Sequence, residues 1–169
     1  DTLFRPADAA SYRGFSWTPD GRGFYLATNQ DRDLAALAHY DLATRRLRWV
    51  ETPAAEVEGV ALSRDGRWLA WTTNENGYSR LHVRDLRANR LLAPPQPLPA
   101  GVYGVEWADR APVLAISVSG PAVPGDVWTW NLTRGTLVRS TESALGGLDP
   151  RRFVVPEAVS VRSWDGETI

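Results

Sequence analysis

The sequence predicts an all-β fold of repeated four-stranded antiparallel units, and three observations predict it. The first is a set of short β-rich runs split by turn residues: Val57–Leu62, the turn Ser63-Arg64-Asp65-Gly66-Arg67, the apolar Trp68–Thr73, an expected loop Asn74-Glu75-Asn76-Gly77-Tyr78, and the alternating Leu81–Leu86. Asp-Gly between two such runs is a hairpin signal, because glycine takes positive φ without a Cβ clash. The second is a repeat at a step of 45 residues: Gly14-Phe15-Ser16-Trp17, Gly59-Val60-Ala61-Leu62 and Gly104-Val105-Glu106-Trp107. Asp20-Gly21-Arg22 recurs as Asp65-Gly66-Arg67, and Leu26, Trp71 and Ile116 keep the same step. The third is a fourth run closing every unit, at Leu47–Val50, Leu91–Ala93 and Thr136–Arg139. Four short strands in about 40–45 residues is the pattern of a β-propeller blade, which buries both faces only when stacked between neighbours. The expectation is therefore a partial β-propeller of about three four-stranded antiparallel blades, with a C-terminal extended linker. A β-sandwich with coincidental spacing is the alternative, and three separate marks sharing one step argue against it.

The elements follow in order. Residues 1–10 are too short for a blade and are expected to be the outer strand of a preceding one. Residues 11–53 form the first blade; its loop Asn29–Asp33 lacks the glycine and terminal glutamate of a calcium loop and reads as a solvated turn. Residues 54–99 form the second, ending in Pro94-Pro95-Gln96-Pro97-Leu98-Pro99, a polyproline-like connector that cannot join a central strand. Residues 100–144 form the third, with a longer loop at 119–125 and with Trp128 and Trp130 two apart on one face. That pair reads as blade packing, with stacking on a ligand as the alternative. Glycines 14, 59 and 104 fall in the first strand, where backbones approach closely near the axis. Residues 145–169 break the period and read as a linker leading to a further domain; the strand opened by Glu167-Thr168-Ile169 is expected to continue beyond the chain.

Composition narrows the function classes. The net charge is −1 and all 19 cations are arginine, so no basic excess points to nucleic acid. The absence of cysteine excludes disulfides and thiolate metal sites, and no metal or other cofactor is expected. No apolar run approaches the roughly 20 residues that span a bilayer. No membrane partner is expected, and the composition favours the cytoplasm. The only histidines, His39 and His82, sit on third strands and read as surface or interface residues rather than catalytic bases. The usual nucleophile elbow and metalloprotease patterns are missing, so no catalytic residue is assigned within these 169 residues. Asp41 and Asp85 recur with the repeat and read as turn caps.

The blade segments Phe15-Ser16-Trp17-Thr18-Pro19-Asp20-Gly21-Arg22 and Thr73–Leu81, with the tail Phe153-Val154-Val155-Pro156-Glu157 to Asp165-Gly166-Glu167-Thr168-Ile169, resemble the prolyl oligopeptidase family of serine peptidases, in particular its acylaminoacyl-peptidase-like branch. The resemblance implies a propeller that caps an α/β-hydrolase domain and restricts access to short peptides. It also implies that the catalytic residues lie beyond Ile169 and that peptides are met through the parent enzyme. The blades of the Tol-system periplasmic propeller are similar too, and a stand-alone interaction scaffold is the alternative. The candidate substrate-channel residues are Arg13, Glu58 and Tyr103, equivalent positions each just before the repeated glycine; ordinary loop residues would look the same. Glu56 alternates with Glu58 as a channel-mouth or surface position. Three blades leave open edges, so self-association is expected.

Overall fold

The computed structural model describes residues 2–4 and 9–169. Twelve strands form three four-stranded antiparallel sheets, each a simple meander in chain order. The first holds β1 (Tyr12–Trp17), β2 (Gly23–Thr28), β3 (Ala36–Asp41) and β4 (Arg46–Glu51). The second holds β5 (Glu56–Leu62), β6 (Trp68–Glu75), β7 (Tyr78–Asp85) and β8 (Arg90–Leu92). The third holds β9 (Val102–Trp107), β10 (Val113–Gly120), β11 (Val123–Asn131) and β12 (Thr136–Arg139). These are the blades of a partial, unclosed propeller. The strand β8 stops at Leu92 because Pro94 and Pro95 cannot donate to a ladder.

Period-two alternation decides the stacking. On the second sheet, Leu69 and Trp71 face the first sheet and pack with Ala27, Leu37 and Val57. Ala70, Leu81 and Val83 point the other way, onto Leu114, Ile116, Val118, Trp128 and Trp130 of the third sheet. Leu26, Trp71 and Ile116 thus all face the preceding side of their sheets, which is why they keep one step in the sequence. Trp128 and Trp130 are buried in the joint between the second and third sheets, as the packing reading requires.

The first strands lie side by side and lock the sheets together. A bulge in β1 between Arg13 and Ser16 holds Gly14 at φ +64°. A Cβ at Gly14 would lie 3.3 Å from Val60 of the next sheet, so the repeated glycine marks a close inter-sheet approach. The Leu62 amide donates to Ser16 Oγ (2.7 Å), and the Trp107 indole donates to the Ala61 carbonyl (3.0 Å). Both bonds span 46 residues.

Two connections differ from expectation. The loop expected at 74–78 is a two-residue turn, Asn76-Gly77, with both residues at positive φ (54° and 84°). This is the primed turn whose twist matches antiparallel strands. The long loop expected at 119–125 is mostly strand; Pro121-Ala122 makes the turn, and a register shift after Val118 accommodates Pro124 opposite Ser119. The described part of 1–10 carries no strand: Phe4 stacks on Tyr12 (4.3 Å between centroids) beside Tyr40. The rest of that predicted outer strand, residues 1 and 5–8, lies outside the described residues. The tail is mostly extended and exposed, with one 3₁₀ turn at Pro150–Arg152 and a small hairpin pairing Arg162 with Thr168.

The third-to-fourth strand turns repeat in detail. Asp41 accepts from the Thr44 amide (2.7 Å), Asp85 from the amides of Arg87 and Ala88, and Asn131 from the Arg134 amide (3.0 Å). Four residues on, Arg45, Asn89 and Gly135 all take positive φ. A side chain there costs about 1 kcal/mol, so Gly135→Ala should lower stability by about that amount in chemical denaturation. Asp85 is buried and also accepts from Arg67 Nε and Nη2 (3.2 and 2.8 Å). The Arg67 hydrogen bonds first, then the turn amides, pull its pKa down to about 2. The folded value lies below the unfolded value of ~3.9, so this stabilisation is complete above that value and is lost as pH falls towards 2. Acid unfolding of Asp85→Asn should accordingly start from a lower stability and show a shallower decline below pH ~4.

Candidate functional site

The starts of the first strands and the turns between second and third strands lie at one end of the sheets, and the three sequence candidates sit there. Arg13 on β1 donates to Glu56 Oε1 (2.5 Å) and to the Val57 carbonyl (3.1 Å), tying the first sheet to the second. Glu58 on β5 accepts from Asn74 Nδ2 (2.9 Å) and Ser79 Oγ (3.3 Å). Ser79 Oγ in turn accepts from the Tyr103 amide (3.0 Å), and the Tyr103 hydroxyl donates to the Pro99 carbonyl (2.6 Å). Glu58 and Tyr103 are therefore joined through Ser79 across the second and third sheets. Arg13 belongs to a separate pair with Glu56.

Burial holds the Tyr103 phenol above its ordinary pKa, so it stays neutral at physiological pH. A groove of about 660 Å³ opens beside it, bordered by Glu75, Arg80, Leu81, Pro94 and Leu98. The end thus presents a carboxylate pair, a guanidinium and a neutral phenol. Groups of these types are able to bind and orient charged or polar chain ends; no nucleophile–base pair stands among them. Asn74 and Ser79 went unnoticed in the sequence, although both fall within the hairpin that carries the resemblance.

The tail reaches this same end. The Tyr78 hydroxyl donates to the Pro156 carbonyl (3.4 Å), and Pro156, Glu157 and Ala158 complete a pocket of about 250 Å³ with Val102 and Gly120. Beyond Asp165-Gly166 the chain turns back, with the Ser163 amide donating to the Glu167 carbonyl (2.8 Å).

The two histidines both point into the joint between the first and second sheets. His39 packs on Tyr25 (4.8 Å), and His82 stacks on Trp71 (5.1 Å, 10°) while hydrogen-bonded to Thr73 Oγ1 (2.9 Å). Beside them Arg84 pairs with Glu51. Burial lowers both imidazole pKa values; Arg80 adds to the effect at His82, whereas at His39 Asp41 opposes it more strongly than Arg48 adds to it. The neutral form is the folded form, so stability is full above the unfolded value near 6.5 and declines as pH falls below it. His82→Gln should flatten that decline between about pH 6.5 and 5, read as Tm against pH.

The described residues hold no helix long and apolar enough to cross a membrane. No family model and no curated protein matches the sequence. Among solved structures, the chain is similar to prolyl oligopeptidase B from Galerina marginata bound to a 35mer hydrolysis and macrocyclization substrate: TM-score 0.76, 19% identity, 95% of this chain and 23% of that one. It is similar to a puromycin hydrolase, with TM-score 0.74 and 15% identity over 94% of this chain and 24% of that one. It is also similar to TolB from Acinetobacter baumannii, with TM-score 0.66 and 15% identity over 97% of this chain and 37% of that one. The chain thus spans about a quarter of the length of the two hydrolases. The three stacked sheets have the fold of a propeller segment, of the kind found in prolyl oligopeptidases and in TolB.

Proposed function

We propose that this chain is the part of a peptidase propeller that controls access of short peptides to a serine-hydrolase catalytic domain following the tail. One observation carries the reading: the tail at Pro156–Ala158 returns to the sheet end that holds Arg13, Glu56, Glu58 and Tyr103. A domain attached through that tail would sit over the same mouth. Arg13 and Glu58 would then steer peptide termini electrostatically, while Tyr103 keeps the mouth shaped.

The test uses the longer protein that continues past Ile169. It should label with a fluorophosphonate and cleave short peptides. Glu58→Gln should change peptide KM about two- to fivefold, the range of a partly exposed charge, and leave turnover of a small neutral ester unchanged. Absence of labelling would contradict the reading. It would favour the second one, an interaction scaffold, which the similarity to TolB over 97% of this chain supports.

A further inference from the structure

The outer edge of the second sheet is incomplete. Its last strand, β8, has three residues, against six in β4 and four in β12. Along β7 the even-numbered residues bond inward, as the Leu86 amide does to the Arg67 carbonyl (2.8 Å), so the odd-numbered residues turn their N–H and C=O groups to the outer edge. Asp85 and Val83 pair there with Arg90 and Leu92, and the Ser79 amide donates to the Gly101 carbonyl (2.8 Å). Leu81 lies between them, and its backbone N–H and C=O have no hydrogen-bond partner among the described residues. The register places Pro94 opposite Leu81; Pro94 has no N–H to give, and the chain leaves the ladder there. The other sheets close the same position. Leu37, the counterpart in the first sheet, pairs with Glu51. In the third sheet the Val127 amide donates to Thr141 Oγ1 (2.8 Å), and the Val127 carbonyl accepts from the Ser140 amide (2.7 Å). Leu81 is 4% exposed, so bulk water offsets little of the cost of an unpaired backbone group.

We infer that a short extended peptide binds at this edge and completes the second sheet by exchanging two backbone hydrogen bonds with Leu81. The groove of about 660 Å³ beside Tyr103 opens on Leu81, and its apolar lining is Leu81, Pro94, Leu98 and Tyr103. Its walls are β7, the connector from β8 to β9, and Tyr103, all internal to the chain, so Pro94 sets the opening. An extended residue presents the carbonyl and N–H that Leu81 needs, at the spacing of an antiparallel pair. The side chain of that residue falls on the face that carries Leu81, beside Leu98, so an apolar residue fits. Val83 to Ser79 spans ~13 Å of strand, which admits about three residues of ligand. The groove docks a peptide beside the mouth through backbone pairing, and the inference is independent of the peptidase reading.

NMR titration of the isotope-labelled 169-residue chain with acetyl-Ala-Leu-Ala-methylamide, up to ~10 mM, tests it. The Leu81 amide resonance should shift saturably, and further than that of Val83, which already pairs with Leu92. The same peptide N-methylated at its leucine has no donor for the Leu81 carbonyl and should bind at least ~10-fold more weakly. This comparison needs no variant of the protein. Pro94→Val combined with Pro95→Val supplies the missing N–H and lets β8 run on along β7. That variant should bind the peptide at least ~10-fold more weakly and show a Leu81 amide protected from exchange without peptide. A Leu81 amide that the peptide does not move overturns the inference and leaves that group to water or to the Gln96 side chain at the groove. Equal binding of the N-methylated peptide, or undiminished binding by the Pro94→Val, Pro95→Val variant, also overturns it, because neither outcome is compatible with pairing to Leu81.

Discussion

Trp71→Ala should lose about 3–5 kcal/mol of stability, the cost of deleting a large buried aromatic from a joint that cannot collapse around the cavity. Trp71 is 3% exposed and belongs to the cluster that bonds the first sheet to the second. Its ring also carries His82 in a parallel stack and the Arg84 guanidinium 6.0 Å from its centre. Truncation opens a void and removes the cover from a half-buried imidazole and a half-buried ion pair, and water entering there restores neither contact. The matched control is Trp49→Ala, at a position 39% exposed, where the loss should stay below about 1 kcal/mol. Urea denaturation of the two variants separates these values. Equal midpoints would mean that the first and second sheets are not packed through Trp71.

The second large effect is at the other joint. Trp130→Ala should also cost about 3–5 kcal/mol. Trp130 is 4% exposed and lies with Leu114, Ile116, Val118 and Trp128 against Ala70, Leu81 and Val83. A tryptophan that served as a ligand platform would tolerate truncation with little loss. The pair therefore separates a packing role from a binding role. Because each sheet touches only its neighbours, the two joints are nearest-neighbour terms, and the double variant should come close to the sum of the single losses. Fluorescence-monitored unfolding of the single and double variants measures this directly. A double variant no less stable than either single one would show that the two joints are coupled and not independent.

How much of this was legible in the sequence depended on where the physics is local. Glycines 14, 59 and 104 and the alternation of Leu26, Trp71 and Ile116 carry period and face along the strand, so the sheets and their stacking could be read from the chain. Asp41 and Asp85 act on amides two or three residues away, and their role as turn caps was legible for the same reason; Asn131, not read as a cap, does the same in the third sheet. The turn at Asn76-Gly77 was read as a longer loop because its polar neighbours Asn74 and Glu75 do not look like strand residues; the ladder opposite Ser79 and Tyr78 extends the strand over them. Pro124 similarly argued for a loop, whereas a bulge lets it stand beside the ladder without donating.

Contacts between sheets were not legible, because their partners are set by register and not by spacing alone. The Ser79 link between Glu58 and Tyr103 is one case. The strap at Asp126 is another: fully buried, Asp126 accepts from Arg139 (2.5 Å) and from the Ser143 amide (2.7 Å), pinning the chain after β12 across the third sheet. Nothing in the run Pro124-Gly125-Asp126 distinguishes that aspartate from a solvated loop residue. Among the channel candidates, repeat equivalence placed Arg13, Glu58 and Tyr103 at one end, but only the folded register assigns Arg13 to Glu56 and Glu58 to Ser79.

The sheets stack through their first strands, and the indole of Trp107 reports that contact most directly. Its N–H donates across the joint to the Ala61 carbonyl, while Trp164, 97% exposed, is an internal reference on the tail. Hydrogen exchange of the indole N–H groups by NMR, with Trp107→Phe and Trp164→Phe to assign the two signals, should find Trp107 protected at least ~10²-fold over Trp164. Trp107 exchanging as fast as Trp164 would contradict the stacked arrangement, and with it the propeller joint on which the candidate mouth depends.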